Sequence, residues 1–175
     1  MKSEELFAFI KAKLEEFEKA ERFPFGDFLY ENGKPRKPPK RDLKFSGVYV
    51  VYEGERPIYV GSTGGGKRRR RTLRDRLRDM FYDYKGQKEG QRRYYHTLTR
   101  KLLKGELKRF NSLDEVRRFL FNECSVRVLR IDSIGLAKVM ESVLIVLLEP
   151  KPRYNSETQA ENRYVRRKNV NTTEA

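Results

Sequence analysis

Gly47-Val48-Tyr49-Val50-Val51-Tyr52-Glu53-Gly54-Glu55-Arg56-Pro57-Ile58-Tyr59-Val60-Gly61 is two short apolar runs around a polar turn, each run carrying a glycine and a tyrosine in mirrored order. Val, Ile and Tyr on both sides of residues 53–57, which hold Gly54 and Pro57, predict a β-hairpin with a five-residue loop. Pairing Tyr52 with Ile58 sets Val51 opposite Tyr59 and Tyr49 opposite Gly61. Side chains alternate along a strand, so Tyr49 and Tyr59 then share one face, with a glycine leaving room beside them. On the hairpin alone, two packed strand aromatics explain the pattern as well as a site does.

Upstream, Ser3 with Glu4 and Glu5 marks a helix start, and Leu6, Ile10, Leu14 and Phe17 give a helical apolar face over residues 4–21. Residues 22–40 contain Pro24, Gly26, Gly33, Pro35, Pro38 and Pro39 and read as an irregular connector. Its phenylalanines, with those of the helix, could supply a homodimer surface or pack internally. Downstream, Ser62-Thr63-Gly64-Gly65-Gly66 leads into Lys67, Arg68, Arg69, Arg70 and Arg71, a glycine loop with a cationic end. Thr72 and Asp75 form a capping pair for a helix whose apolar face is Leu73, Leu77, Met80, Phe81 and Tyr84. Arg74 and Arg76 sit on opposite edges of that face and Arg78 lies further toward solvent.

Residues 91–104 read as a helix with His96 on it, and Ser112-Leu113-Asp114-Glu115 opens another ending near Phe121. Alternation over 125–131 predicts a third strand. Residues 136–148 are apolar on every side, which predicts a buried helix, and Glu141 sits inside it. A carboxylate there needs a cation or a metal, because burying it unpaired costs several kcal/mol. The expected fold class is therefore α/β of the α+β kind: a small three-stranded antiparallel sheet with flanking helices. Residues 1–44 form an N-terminal helix and connector packing on or extending the core, 45–156 the main domain and 157–175 a basic polar tail.

The 175 residues carry 40 Lys and Arg against 25 Asp and Glu, a formal net charge of +15. An excess of that size most often serves nucleic-acid phosphates. One cysteine, Cys124, and one histidine exclude an internal disulfide and a Cys/His zinc cluster, so any metal is held by oxygen. No apolar run reaches the roughly 18 residues of a membrane span, and no signal-peptide pattern opens the chain, so a cytoplasmic protein is expected.

The order of these features is more telling than any one of them. A Gly-Val-Tyr strand, a Tyr-Val-Gly strand ten residues on, the helix Leu73-Arg74-Asp75-Arg76-Leu77, Glu141 in a late apolar helix and Asn155 after a proline turn resemble the GIY-YIG nuclease family. The resemblance covers residues 45–156. It implies a metal-dependent DNA endonuclease that hydrolyses a phosphodiester by one-step in-line attack of water. Within it, Tyr49 is the general base with Tyr59 as partner, Arg76 stabilises charge on the phosphate, and Glu141 binds one Mg2+ or Mn2+. Asn155 orients the site, and His96 matches an assisting histidine of the homing and restriction branches. Arg74 stays open as an alternative to Arg76, because loop 62–72 is longer than in the relatives. Lys67 to Arg71, Arg74 and Arg78 would bind double-stranded or branched DNA through phosphates. Ser62 stands where some branches have lysine and a homing branch has serine. A non-catalytic nucleic-acid binder on the same scaffold and an RNA-directed nuclease are the competing readings.

Overall fold

A computed structural model describes residues 2–63, 72–82, 96–104, 107–148 and 152–155, and the backbone of 65–66 and 69–70. It is a mixed α+β fold with a four-stranded antiparallel sheet and, among the described residues, five α-helices. The elements are α1 (Ser3–Lys19), β1 (Phe23–Pro24), β2 (Gly47–Glu53), β3 (Arg56–Ser62), the two-residue strands β4 (Gly65–Gly66) and β5 (Arg69–Arg70), α2 (Leu73–Arg78), α3 (Thr97–Leu103), α4 (Leu113–Asn122), β6 (Cys124–Arg130) and α5 (Ile134–Leu147). The main sheet runs β1-β6-β2-β3, and β4 pairs only with β5.

The three expected strands are present, and the fourth is β1, where Phe23 pairs with Val126 and Pro24 with Ser125. Proline lacks an N–H, which suits it to an edge strand such as this one. In the hairpin, Tyr49 faces Gly61 and Val51 faces Tyr59, but Tyr52 pairs with Pro57 and Glu53 with Arg56. The loop is thus two residues, Gly54-Glu55, not five. Gly54 has φ +55°, the glycine-first pattern of a II′ turn, and the register shift after Val51 leaves Ile58 as the extra residue of a bulge. Tyr49 and Tyr59 therefore share a face even though the loop is shorter than the sequence suggests.

The sheet separates two apolar clusters. On one side Tyr49, Val51, Ile58 and Tyr59 pack with Leu73, Leu77, Met80 and Phe81 of the α2 region, Leu98 and Leu102 of α3, and Val116, Phe119 and Leu120 of α4. On the other, Val48, Val50, Tyr52 and Val60 pack with Phe17 of α1 and with Ala137, Met140 and Leu144 of α5. Phe23, Phe25 and Phe28 are buried in the first cluster, and Phe9 and Ile10 lean on the second, so most of the N-terminal aromatics pack internally. Phe7 and Tyr30 remain exposed. The strands fit closely: a Cβ at Gly47 would collide with Leu129 O of β6.

Three local expectations change. Ser3 is the first helical residue of α1, and its end is capped by Glu5, whose Oε2 accepts from Lys2 N at 2.9 Å. Residues 83–95 lie outside the described residues, and α3 opens at Thr97 with His96 as its cap, not on the helix. The apolar segment of α5 buries one side only; Val146 and Leu147 are 68% and 56% exposed. Lys138 and Ser142 mark the outer face, but Val146 and Leu147 continue it in apolar residues, so composition alone conceals the one-sidedness. No described helix is long and apolar enough to cross a membrane.

Candidate active site

The site is built at the ends of β2 and β3, and β3 is the edge of the sheet. Tyr49 is fully buried and Tyr59 nearly so, with ring centroids 6.2 Å apart. Gly61 makes this arrangement possible, because a Cβ there would run into the Tyr49 hydroxyl and ring. The tyrosine–glycine pairing of the hairpin is thus a steric requirement of the tyrosine itself.

His96, also buried, closes over both phenols: its Nε2 lies 3.0 Å from Tyr49 Oη and its ring 5.6 Å from that of Tyr59. Leu98 N donates to His96 Nδ1 at 3.2 Å, so Nδ1 carries no proton. In the neutral ring the proton is then on Nε2 and is donated to Tyr49 Oη. Burial, reinforced by the positive charge of Arg76, holds the His96 pKa well below its usual value, which keeps that neutral form at physiological pH. Thr97 shares a hydrogen bond with the Tyr59 hydroxyl.

α2 supplies the cation. Thr72 Oγ1 accepts from Asp75 N and the Asp75 carboxylate accepts from Thr72 N, the expected capping box, which fixes the start of this six-residue helix. Of the three arginines on α2, Arg76 is the one whose charge is felt at Tyr49, Tyr59 and His96. Its Nε is buried with no hydrogen-bond partner among the described residues. Arg78 turns away to Asp75 at 3.9 Å and over the Tyr82 ring. Arg74 is tied through its backbone to Leu43 O at 3.0 Å. The Arg74 Nε is likewise buried without a partner among the described residues, and it is electrostatic coupling to the tyrosines that distinguishes Arg76.

Glu141 arrives from the opposite side of the sheet. It is half-buried, not deeply buried, and its Oε2 accepts from Ser62 Oγ at 2.5 Å. Its charge reaches the tyrosines across the edge strand. Burial first, then Glu141, push the Tyr59 pKa up to about 12, against the lowering effect of Arg76. The same burial, with Tyr59 second, raises Tyr49 well above the ordinary phenol range, again opposed by Arg76. Burial works against the charge of Arg76, but Tyr49, Tyr59, Asp79 and Glu141 outweigh it and hold the guanidinium protonated.

Asn155 lies beside β3, with both ends of its amide used on one residue: Oδ1 accepts from Val60 N at 2.5 Å and Nδ2 donates to Val60 O at 2.7 Å. Next to it Tyr154 N donates to Ile58 O at 2.8 Å. The segment therefore occupies the open edge of β3, and Tyr154 and Asn155 together hold the backbone on either side of Tyr59 in place. Arg69 and Arg70 lie in β5, of which only the backbone is described, and Lys67, Arg68 and Arg71 lie outside the described residues.

Thr97 and Asp79 escaped the sequence reading, and Ser62 was singled out there without its bond to Glu141. Ser62 stood at a position already singled out as variable, Thr97 directly follows His96, and Asp79, 5% exposed, lies one turn after Asp75. Among the described residues no three of His, Cys, Asp and Glu gather at one point. An ion on Glu141 would then take its other ligands from water and substrate, which is how magnesium is commonly held. The oxygen chemistry of Glu141 and Ser62 fits such an ion. Comparison with family models finds no match, and comparisons with curated proteins and with solved structures return none either.

Proposed function

We propose that this chain is a divalent-metal-dependent DNA endonuclease of the GIY-YIG kind, working in the cytoplasm. The observation that carries the reading is the meeting of Tyr49, Tyr59, His96, Arg76 and Glu141 around one end of the hairpin. Two elements on opposite faces of the sheet deliver an arginine and a carboxylate to the same pair of phenols.

In this mechanism Tyr49 takes the proton of the attacking water. The His96 Nε2–H donated to Tyr49 Oη stabilises a phenolate there, since hydrogen bonds to the charged form favour it. Arg76 acts in the same direction and also neutralises charge gathering on the phosphate. Water oxygen bonds to phosphorus as the bond to the 3′ oxygen breaks, giving a 5′-phosphate and, once that oxygen takes a proton from solvent, a 3′-hydroxyl. Glu141 would hold a magnesium ion, whose charge would polarise the scissile phosphate and offset the part of the rise in the tyrosine pKa values that the glutamate adds to burial. Tyr59 holds the second phenol against the first, and Asn155 fixes its strand.

The test is nicking of supercoiled plasmid in the presence of magnesium or manganese. Wild type is expected to convert it to open circles, and Tyr49→Phe and Glu141→Ala each to lose at least a hundredfold in rate, the scale of one acid–base group. Absence of nicking by wild type with any divalent ion sinks the proposal. Cutting of structured RNA with DNA left intact redirects it to RNA.

A further inference from the structure

We infer that Ser62 is a positioning residue for the metal: its hydroxyl sets the orientation in which Glu141 presents its carboxylate. This rests on the nuclease reading above and names a residue outside the five that carry it. Ser62 is the last residue of β3 and is 7% exposed, so its side chain has little freedom. Its neighbour Thr63 is already committed: Gly47 N donates to Thr63 Oγ1 at 3.0 Å and Thr63 N donates to Gly47 O at 2.9 Å. Those two bonds anchor the strand end to β2 and thereby fix where Ser62 Oγ stands.

From that fixed point Ser62 Oγ donates to Glu141 Oε2 at 2.5 Å, a short bond of the charge-assisted kind. Glu141 sits mid-way along α5, and a glutamate has three torsions to restrain. The serine bond pins one oxygen toward the edge strand and so fixes the direction of the carboxylate plane relative to Tyr59 and Arg76. Groups that hydrogen-bond to a metal ligand commonly change affinity by ten- to a hundredfold when removed. Alanine at 62 would remove this hydroxyl bond without changing the charge of the carboxylate, whereas threonine would keep the donor.

Binding of Mn2+ to the full chain, measured by isothermal titration calorimetry, tests this alongside the thermal midpoint of each variant. Ser62→Ala is expected to weaken Mn2+ binding about tenfold, with Ser62→Thr restoring most of it and both variants melting close to wild type. Wild-type affinity in Ser62→Ala, or equal weakening in the alanine and threonine variants, overturns the role of Ser62. Glu141→Ala separates the two failures. If it leaves Mn2+ affinity unchanged, the metal reading and the role of Ser62 fall together; if it abolishes binding while Ser62→Ala does not, only the latter falls.

Discussion

His96 is the one histidine in the chain, so its titration can be read without overlap. Its folded pKa is held below the unfolded value of about 6.5 by burial and by Arg76. The unfolded chain therefore binds a proton that the folded chain refuses, and stability is present above about pH 6.5 and lost as pH falls below it. Chemical denaturation at a series of pH values should show that acid slope in wild type and a flatter one in His96→Asn; equal slopes would contradict it. The alkaline side runs in the opposite direction. Tyr59 keeps its proton up to about 12 in the fold while an unfolded tyrosine loses it near 10, so stability falls as pH rises through that window. Gly61 gives a steric prediction: Gly61→Ala should displace the Tyr49 ring and cost roughly 1–3 kcal/mol, as overpacking does, with a change in near-ultraviolet tyrosine circular dichroism as the direct readout.

Among the elements, the C-terminal segment beside β3 has the most specific energetic signature. Asn155→Ala removes both bonds to Val60 and leaves a part-buried amide and carbonyl unpaired, a cost of about 2–4 kcal/mol for the pair. Hydrogen exchange at the Val60 amide should quicken in that variant ahead of the rest of β3; unchanged protection would show that the clamp is idle. Signals confined to a few residues were legible in the sequence: the Tyr49–Gly61 pairing, the Thr72–Asp75 and Ser112–Glu115 caps, and the third strand. Less legible were features set by distant partners. The bulge at Ile58 trades against loop length, β1 is only two residues long, and Asn155 finds its strand 95 positions away. Glu141 was visible as a carboxylate out of place in an apolar run, but Ser62, its partner 79 residues earlier, was not tied to it by any spacing rule.

At the scale of the whole molecule, the proposed binding to duplex DNA would, with a formal charge of +15, depend on released counterions. The logarithm of the association constant, followed by fluorescence anisotropy, should fall linearly with the logarithm of salt concentration, with a slope of about −0.9 for each phosphate neutralised. Affinity indifferent to salt would remove DNA phosphates as the partner of that charge. The charge was legible from composition, whereas the two-cluster layout was not, because it follows from which residues of β2 and β3 face α2 and which face α5. The placement of the proposed site at the rim between those clusters has a temporal consequence. The tyrosines and Arg76 leave the ribosome well before Glu141 and Asn155, and domains generally fold as units during or after synthesis. On the nuclease proposal, a nascent chain would hold only half of the proposed reactive groups, and the site would be complete only when synthesis has passed residue 155.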